Sequence, residues 1–198
     1  MSVIGEGNFG CIHKPSLKCN ESDVNYNNKI SKILTSIDAN VEVRKFKKIA
    51  KIDKNKDFYL GEPHRCYPAE TEENIKSIEK CKNGKKLVET LKLYSLLIME
   101  DGGLDLEKYG KVLKKREPNK ENREKMELFW IEAHRILLGI REFLNHGLVH
   151  RDVKPQNIVY NEESNRLNFI DFGIMDTKNN IMEYTKADFG IIDTKIIL

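Results

Sequence analysis

The run His150-Arg151-Asp152-Val153-Lys154-Pro155-Gln156-Asn157 brings a carboxylate, a cation and an amide within six positions of one another. Moving a phosphoryl group onto a hydroxyl needs those groups. A carboxylate orients or accepts the proton of the attacking oxygen, a cation offsets charge on the moving group, and oxygen ligands hold Mg²⁺. Asp152, Lys154 and Asn157 supply them on one loop. Asp171-Phe172-Gly173 begins nineteen residues after Asp152 and follows a strand-like run that ends at Ile170. Asp171 is the expected principal Mg²⁺ ligand. Asp171 to Lys178 recurs as Asp188 to Lys195, with seven of eight positions identical. Two copies do not make a solenoid, so the second reads as a local duplication without a catalytic role.

A third group is Gly5-Glu6-Gly7-Asn8-Phe9-Gly10. In a dinucleotide-binding fold this pattern opens a helix. Here Pro15 follows five residues later and Cys11-Ile12-His13 reads as extended. Gly5, Gly7 and Gly10 are therefore expected at a hairpin tip, where backbone N–H groups can approach phosphate oxygens. Taken alone, the same glycines also fit an ordinary turn.

These groups need elements to position them. Val3-Ile4 and Ile12 flank the glycine loop, Asn20 to Asn28 reads as a loop, and Lys29 to Leu34 as a strand. Residues 38–50 are expected to be helical, with Asp38 as a candidate cap. Residues 57–90 are mixed, punctuated by turn signals at Gly61, Pro63, Pro68 and Asn83-Gly84. Lys92 to Met99 reads as a buried strand. Met126, Phe129, Trp130, Ala133, Leu137, Ile140 and Leu144 recur at helical spacing, which predicts a long helix with that stripe in the core and Gly147 as its C-terminal cap. Ile158-Val159-Tyr160 and Leu167 to Ile170 read as a hairpin across the polar turn 161–165.

Composition bounds the rest. The chain has 198 residues, 39% hydrophobic and 33% charged, with a net charge of +3. That balance does not argue for nucleic acid, and Arg44 to Lys51 reads as a solvated helix face. No apolar run reaches the ~18 residues of a membrane span, and no signal segment is apparent at the start. Cys11, Cys19, Cys66 and Cys81 include no C-x-x-C pair and are expected as reduced thiols in a cytoplasmic protein. A zinc site built from them is disfavoured, and His13 and His64 are expected at the surface.

In order and spacing, the glycine loop, the H-R-D-x-K-x-x-N loop and the D-F-G triplet resemble the eukaryotic-type protein kinases. Lys154, two residues after Asp152, resembles the serine/threonine branch. Gly10 to Cys19, Ile30-Ser31-Lys32-Ile33 and Asp57 to Gly61 resemble kinases encoded by large DNA viruses. Lys (26), Asn (18) and Ile (21) form a third of the chain, in keeping with an A/T-rich genome.

The resemblance implies an α+β, two-lobe kinase-like fold. Residues 1–99 would form a β-rich N-lobe, and residues 100–198 a hinge and an incomplete, mainly helical C-lobe. It implies ATP and Mg²⁺ as cofactors and a protein substrate bearing Ser or Thr, with no membrane or nucleic-acid partner. The expected location is the cytoplasm, host cytoplasm or virion if viral. Lys32 would contact the α- and β-phosphates, and Glu42 on the next helix would pair with it, across an unusually short spacing. Met99-Glu100-Asp101-Gly102 would be the hinge, with Glu100 and Gly102 beside the adenine. Arg151 would suit a phosphorylated Thr177 or Thr185. The family's small residue two before the lysine is Ile30 here. The chain stops 25 residues after Gly173, where a full kinase domain continues. An apolar face of the long helix is therefore expected to be exposed. The alternatives are a truncated, inactive remnant that binds nucleotide or protein, and a small-molecule phosphotransferase.

Overall fold

The computed structural model describes residues 1–7 and 10–189. The chain divides into two compact units, Met1–Leu104 and Asp105–Leu198. The division thus falls a few residues beyond the expected 99/100. No helix among the described residues is long and apolar enough to cross a membrane.

The first unit is built on an antiparallel sheet of β1 (Ser2–Gly7), β2 (Gly10–Lys14), β3 (Lys29–Thr35), β4 (His64–Cys66) and β5 (Tyr94–Glu100), in the order β1-β2-β3-β5-β4. Alternation along β3 separates the two faces. Leu34 joins Leu97 and Ala39 on the face of α1 (Ser36–Ile52). Ile33 faces the other way. The register aligns Cys11, Ile33, Leu96 and Cys66 in one transverse row, and His13, Ser31, Ile98 and His64 in the next. Two helices cover this second face, α2 (Glu72–Ile78) and α3 (Gly84–Glu89). The sequence had left that region mixed. Ile78, Leu87 and Leu91 pack there with Cys11, Cys19, Cys66 and Cys81.

The cysteines correct the sequence reading. Cys11 is bonded to Cys81, and Cys19 to Cys66. Spacing hides these pairs because they join residues 70 and 47 positions apart. His13 is also misjudged as a surface residue. It is fully buried, with Nε2 3.2 Å from the Ser77 carbonyl, because β2 alternation points it under α2. His64 is exposed, as expected.

In the second unit, β6 (Leu104–Asp105) runs into α4 (Leu106–Leu113), where the Asp105 carboxylate caps Lys108 N–H at 2.8 Å. The long helix α5 (Lys120–Asn145) is capped by Asn119 and ends at Gly147, whose φ of +71° suits glycine. Next come β7 (Leu148–Val149), β8 (Ile158–Asn161), β9 (Arg166–Phe169), β10 (Asp176–Thr177) and α6 (Lys178–Phe189). The expected β8–β9 hairpin forms, with Asn161 and Arg166 as an added pair at the turn and Ile170 just beyond the second strand. The second Asp-Phe-Gly repeat falls largely outside the described residues, as does the side chain of Thr185.

The face that α5 buries also differs from the expected stripe. Glu132, Ile136, Gly139 and Phe143 turn inward. Trp130 and Leu137, expected in the core, are 64% and 61% exposed, and Leu144 is exposed as well. The expected stripe straddles the edge of the buried face: Phe129 packs on Tyr109 and Tyr160, and Met126, Ala133 and Ile140 are half-buried, while Trp130, Leu137 and Leu144 fall on a second, open apolar face. Charge pairing explains how Glu132 comes to be inside. Its carboxylate accepts from Arg135 Nε at 2.9 Å and from Leu167 N–H at 3.0 Å, and Arg135 also donates to the Leu167 carbonyl. Burial pushes the Glu132 carboxyl up, but those donors outweigh it and hold it below the ordinary glutamate range. The pair therefore grips the backbone of β9, the strand that leads to Asp171.

Candidate active site

In the first unit, β1 and β2 form the hairpin expected for the glycine run, with Gly7 opposite Gly10 as the last pair. Gly10 has φ +135°, and a Cβ there would lie 2.5 Å from the Ile33 carbonyl oxygen. Only glycine permits that approach to β3. Ile12 lies directly across from Lys32, on the same sheet face.

The short Lys32–Glu42 spacing suffices because no loop intervenes. Thr35 is both the last residue of β3 and the N-cap of α1, its hydroxyl accepting from Asp38 N–H at 3.2 Å. Asp38 therefore lies within the first turn and is not the cap. Ala39, Glu42, Phe46 and Ile49 form the buried stripe of α1, so Glu42 is the one carboxylate in an otherwise apolar series. Lys32 Nζ donates to both its oxygens, at 3.0 and 2.8 Å, with both residues buried.

At the end of β5, Glu100 pairs with Lys29, and Asp101 pairs with Lys14. Asp101 N–H donates to the Asn28 carbonyl at 2.9 Å, and the adjoining Gly102 is buried. The expected hinge backbone is thereby fixed to the strands on either side of the 15–28 loop. Ile30 is half-buried and pairs with Met99.

In the second unit, Asp152, Lys154 and Asn157 form one hydrogen-bonded assembly. Lys154 Nζ and Asn157 Nδ2 both donate to Asp152 Oδ2 at 2.7 Å, and Asn157 Nδ2 also donates to the Asp152 carbonyl at 3.0 Å. The Lys154 hydrogen bond, with help from Asn157, holds the Asp152 carboxyl below the usual aspartate value despite some desolvation. Asp152 is therefore an ionised acceptor at neutral pH.

Two bonds join this loop to the segment bearing Asp171. His150 Nε2 is 3.1 Å from the Ile170 carbonyl, and Ile170 N–H donates to the Asn157 carbonyl at 3.0 Å. Asp152 N–H approaches His150 Nδ1 at 3.3 Å, which places the imidazole proton on Nε2. Burial lowers the His150 pKa, so the ring is neutral. It packs on Phe169 and Phe172, and fully buried Phe172 meets Phe143 of α5 edge-on. β10 then pairs with β7, directly before His150. Asp171 thus emerges from a segment fastened on one side to the 150–157 loop and on the other to β7.

Arg151 (φ +66°) and Asp171 (φ +57°) occupy the left-handed region. Such non-glycine residues cost about 1–3 kcal/mol each and persist where their surroundings hold them. Arg151 Nη1 is 3.9 Å from the Asp176 carboxylate, next to Thr177. The donor set suits a hard divalent cation. Asp171 contributes carboxylate oxygen. Asn157 commits its Nδ2 to Asp152, which leaves its oxygen end for a metal.

Sequence reasoning gives His150 only as part of a motif, not as the bridge to Ile170, and assigns Glu132 and Arg135 no role. The α2–α3 segment carries only the turn signal at Asn83-Gly84.

Residues 108–193 match the ABC1 atypical kinase-like domain. Over 41 residues the chain is 46% identical to the probable cell division control protein 7 homologs 1 and 2 of Encephalitozoon cuniculi (strain GB-M1), covering 21% of this chain and 12% of each relative. Over 59 residues it is 29% identical to the cell division cycle 7-related protein kinase of Mus musculus, covering 28% of this chain and 10% of that protein. The chain spans about a tenth of the length of these curated relatives. With the mixed α+β fold, these similarities support a kinase-like protein.

Proposed function

We propose that the chain is an ATP- and Mg²⁺-dependent serine/threonine protein kinase. The assembly of Asp152, Lys154 and Asn157 fastened to the Asp171 segment is the observation that carries this reading. Asp152, kept ionised by Lys154, orients the acceptor hydroxyl and takes up its proton as the new O–P bond forms and the bond from the γ-phosphorus to the β,γ-bridging oxygen breaks, with ADP as the leaving group. Lys154 offsets negative charge on the transferring phosphoryl group. Asp171 and Asn157 would hold Mg²⁺, which supplies charge neutralisation to the phosphate chain. In the first unit, Lys32, aimed by Glu42, meets the α- and β-phosphates. The backbone N–H groups around Gly5, Gly7 and Gly10 lie along phosphate oxygens. Ile12 covers the adenine, and the Glu100 to Gly102 backbone reads its edge. Serine/threonine preference rests on Lys154, two residues beyond Asp152.

The test is incubation of purified protein with γ-labelled ATP and a generic protein acceptor, with and without Mg²⁺. Label should appear on Ser and Thr only when Mg²⁺ is present. Saturable Mg·ATP binding without transfer would instead indicate a nucleotide-binding remnant. Label on a sugar or amino alcohol, with none on protein, would assign a different acceptor.

A further inference from the structure

One corner of the first unit holds the glycine hairpin by five attachments. The corner is the turn joining α2 to α3. The Ser77 carbonyl meets His13 Nε2 at 3.2 Å. Ser77 Oγ and Lys80 Nζ donate to the Met1 carbonyl at 3.4 and 3.1 Å. Lys82 N–H donates to the Glu6 carboxylate, and Cys81 is bonded to Cys11. Both strands of the hairpin are thus held from one place.

The corner itself has little slack. Cys81 N–H donates to the Ile78 carbonyl at 2.9 Å, and Gly84 N–H donates to the Cys81 carbonyl at 2.8 Å. A Cβ on Gly84 would lie 2.4 Å from the Ile78 oxygen. On its other side the hairpin is pressed against β3 at Gly10. Cys11 follows Gly10 directly and points to the corner, whereas Ile12 points to the face that carries Lys32.

We propose that the Cys11–Cys81 cystine is a redox-controlled latch on the glycine hairpin: oxidised, it holds the hairpin in its nucleotide-binding position; reduced, it releases it. The nucleotide part of this proposal rests on the function proposed above. Opening the latch is a two-electron exchange. A dithiol reductant gives its two hydrogens to the cystine sulfurs, the S–S bond breaks, and the reductant leaves as its own disulfide. His13 Nε2, whose N–H donates to the Ser77 carbonyl, lies 3.7 Å from Cys81 Sγ and 4.0 Å from Cys11 Sγ, where the same N–H can also donate to a thiolate. With the covalent attachment gone, ordering the hairpin falls to nucleotide binding, and affinity drops. The Cys19–Cys66 cystine is an internal comparison. It stands at the far end of the same transverse row and joins the loop after β2 to β4.

The full chain is compared in four forms: oxidised, dithiol-reduced, Cys11→Ser/Cys81→Ser, and Cys19→Ser/Cys66→Ser. Mg·ADP affinity and hydrogen exchange over residues 2–14 are read well below each form's melting temperature. Reduction and the Cys11→Ser/Cys81→Ser pair should weaken affinity about tenfold and speed exchange. The Cys19→Ser/Cys66→Ser pair should leave both near the oxidised values. Equal exchange in the oxidised and Cys11→Ser/Cys81→Ser forms would overturn the latch. So would free thiols, or a metal ion bound by Cys11, His13 and Cys81, in protein purified without reductant. If no form binds Mg·ADP, the functional reading fails, and the exchange difference alone decides the latch.

Discussion

The two units secure their chemistry differently. In the first, every covered surface has its cover. One sheet face lies under α1 and the other under α2 and α3, two cystines cross the second face, and the Lys32–Glu42 pair is sealed between β3 and α1. In the second, Asp152 and Lys154, the residues proposed to act on substrate, are open. Lys154 is 48% exposed on its side chain, and Asp152 is held by two hydrogen-bond donors rather than by burial. What is buried there is support: His150, Phe172 and the Glu132–Arg135 grip on β9. α5 meanwhile shows Trp130, Ile131 and Leu137 to solvent. The lesson is that an ion pair can be buried where each partner satisfies the other, as Lys32 and Glu42 do. A group that must meet a substrate hydroxyl stays accessible and is aimed by its neighbours.

The strongest way to break the contrast is Glu42→Ala. It leaves the Lys32 charge buried without its partner, and destabilisation of about 3–5 kcal/mol is expected by denaturant unfolding. The double variant Lys32→Met/Glu42→Leu should recover most of that loss while still abolishing nucleotide chemistry. A loss under about 1 kcal/mol for Glu42→Ala would show the first unit to be less closed than described.

Glu132→Ala tests the support in the second unit. It leaves Leu167 N–H without its acceptor and removes the carboxylate beside Arg135, and a loss of about 1–3 kcal/mol is expected, with activity falling through the displaced Asp171. A stable variant with normal turnover would remove Glu132 from that role.

Acid should weaken both units together. Burial holds His13 and His150 below the ordinary imidazole value of 6.5. Below that value the unfolded chain binds more protons than the folded one. The contribution is therefore complete above pH 6.5 and lost progressively as pH falls. The melting temperature should be level from about pH 8 to 7 and decline towards about pH 5, and His13→Asn should flatten the decline. A melting temperature constant across that span contradicts the burial argument.

The smallest expected effect lies on the open face of α5. Trp130→Gln with Leu137→Gln should change stability by no more than about 0.5 kcal/mol while lowering self-association in light scattering. A large loss of stability would show that the face is covered after all.

The motif residues were legible because each requires its own chemistry at a fixed spacing: Asp152, Lys154 and Asn157 on one loop, Asp171 after a strand, and glycines at a hairpin tip. The strands β3, β5, β8 and β9 were legible as short apolar runs bounded by turn residues, whereas the three-residue β4 was not. Glu42 could be assigned only by resemblance, since its spacing from Lys32 made sense once Thr35 proved to end the strand and start the helix. The α5 stripe misled because the helix has two apolar faces and the buried one carries a glutamate. The cystines and the α2–α3 cover depend on contacts between residues dozens of positions apart, which periodicity does not encode.

The central claim is that Asp152 handles the acceptor proton. The most direct test is γ-phosphoryl transfer by Asp152→Asn, measured at saturating Mg·ATP beside the unaltered protein. Turnover should fall by roughly two to four orders of magnitude, with Mg·ATP affinity little changed. Undiminished turnover in that variant would contradict the account.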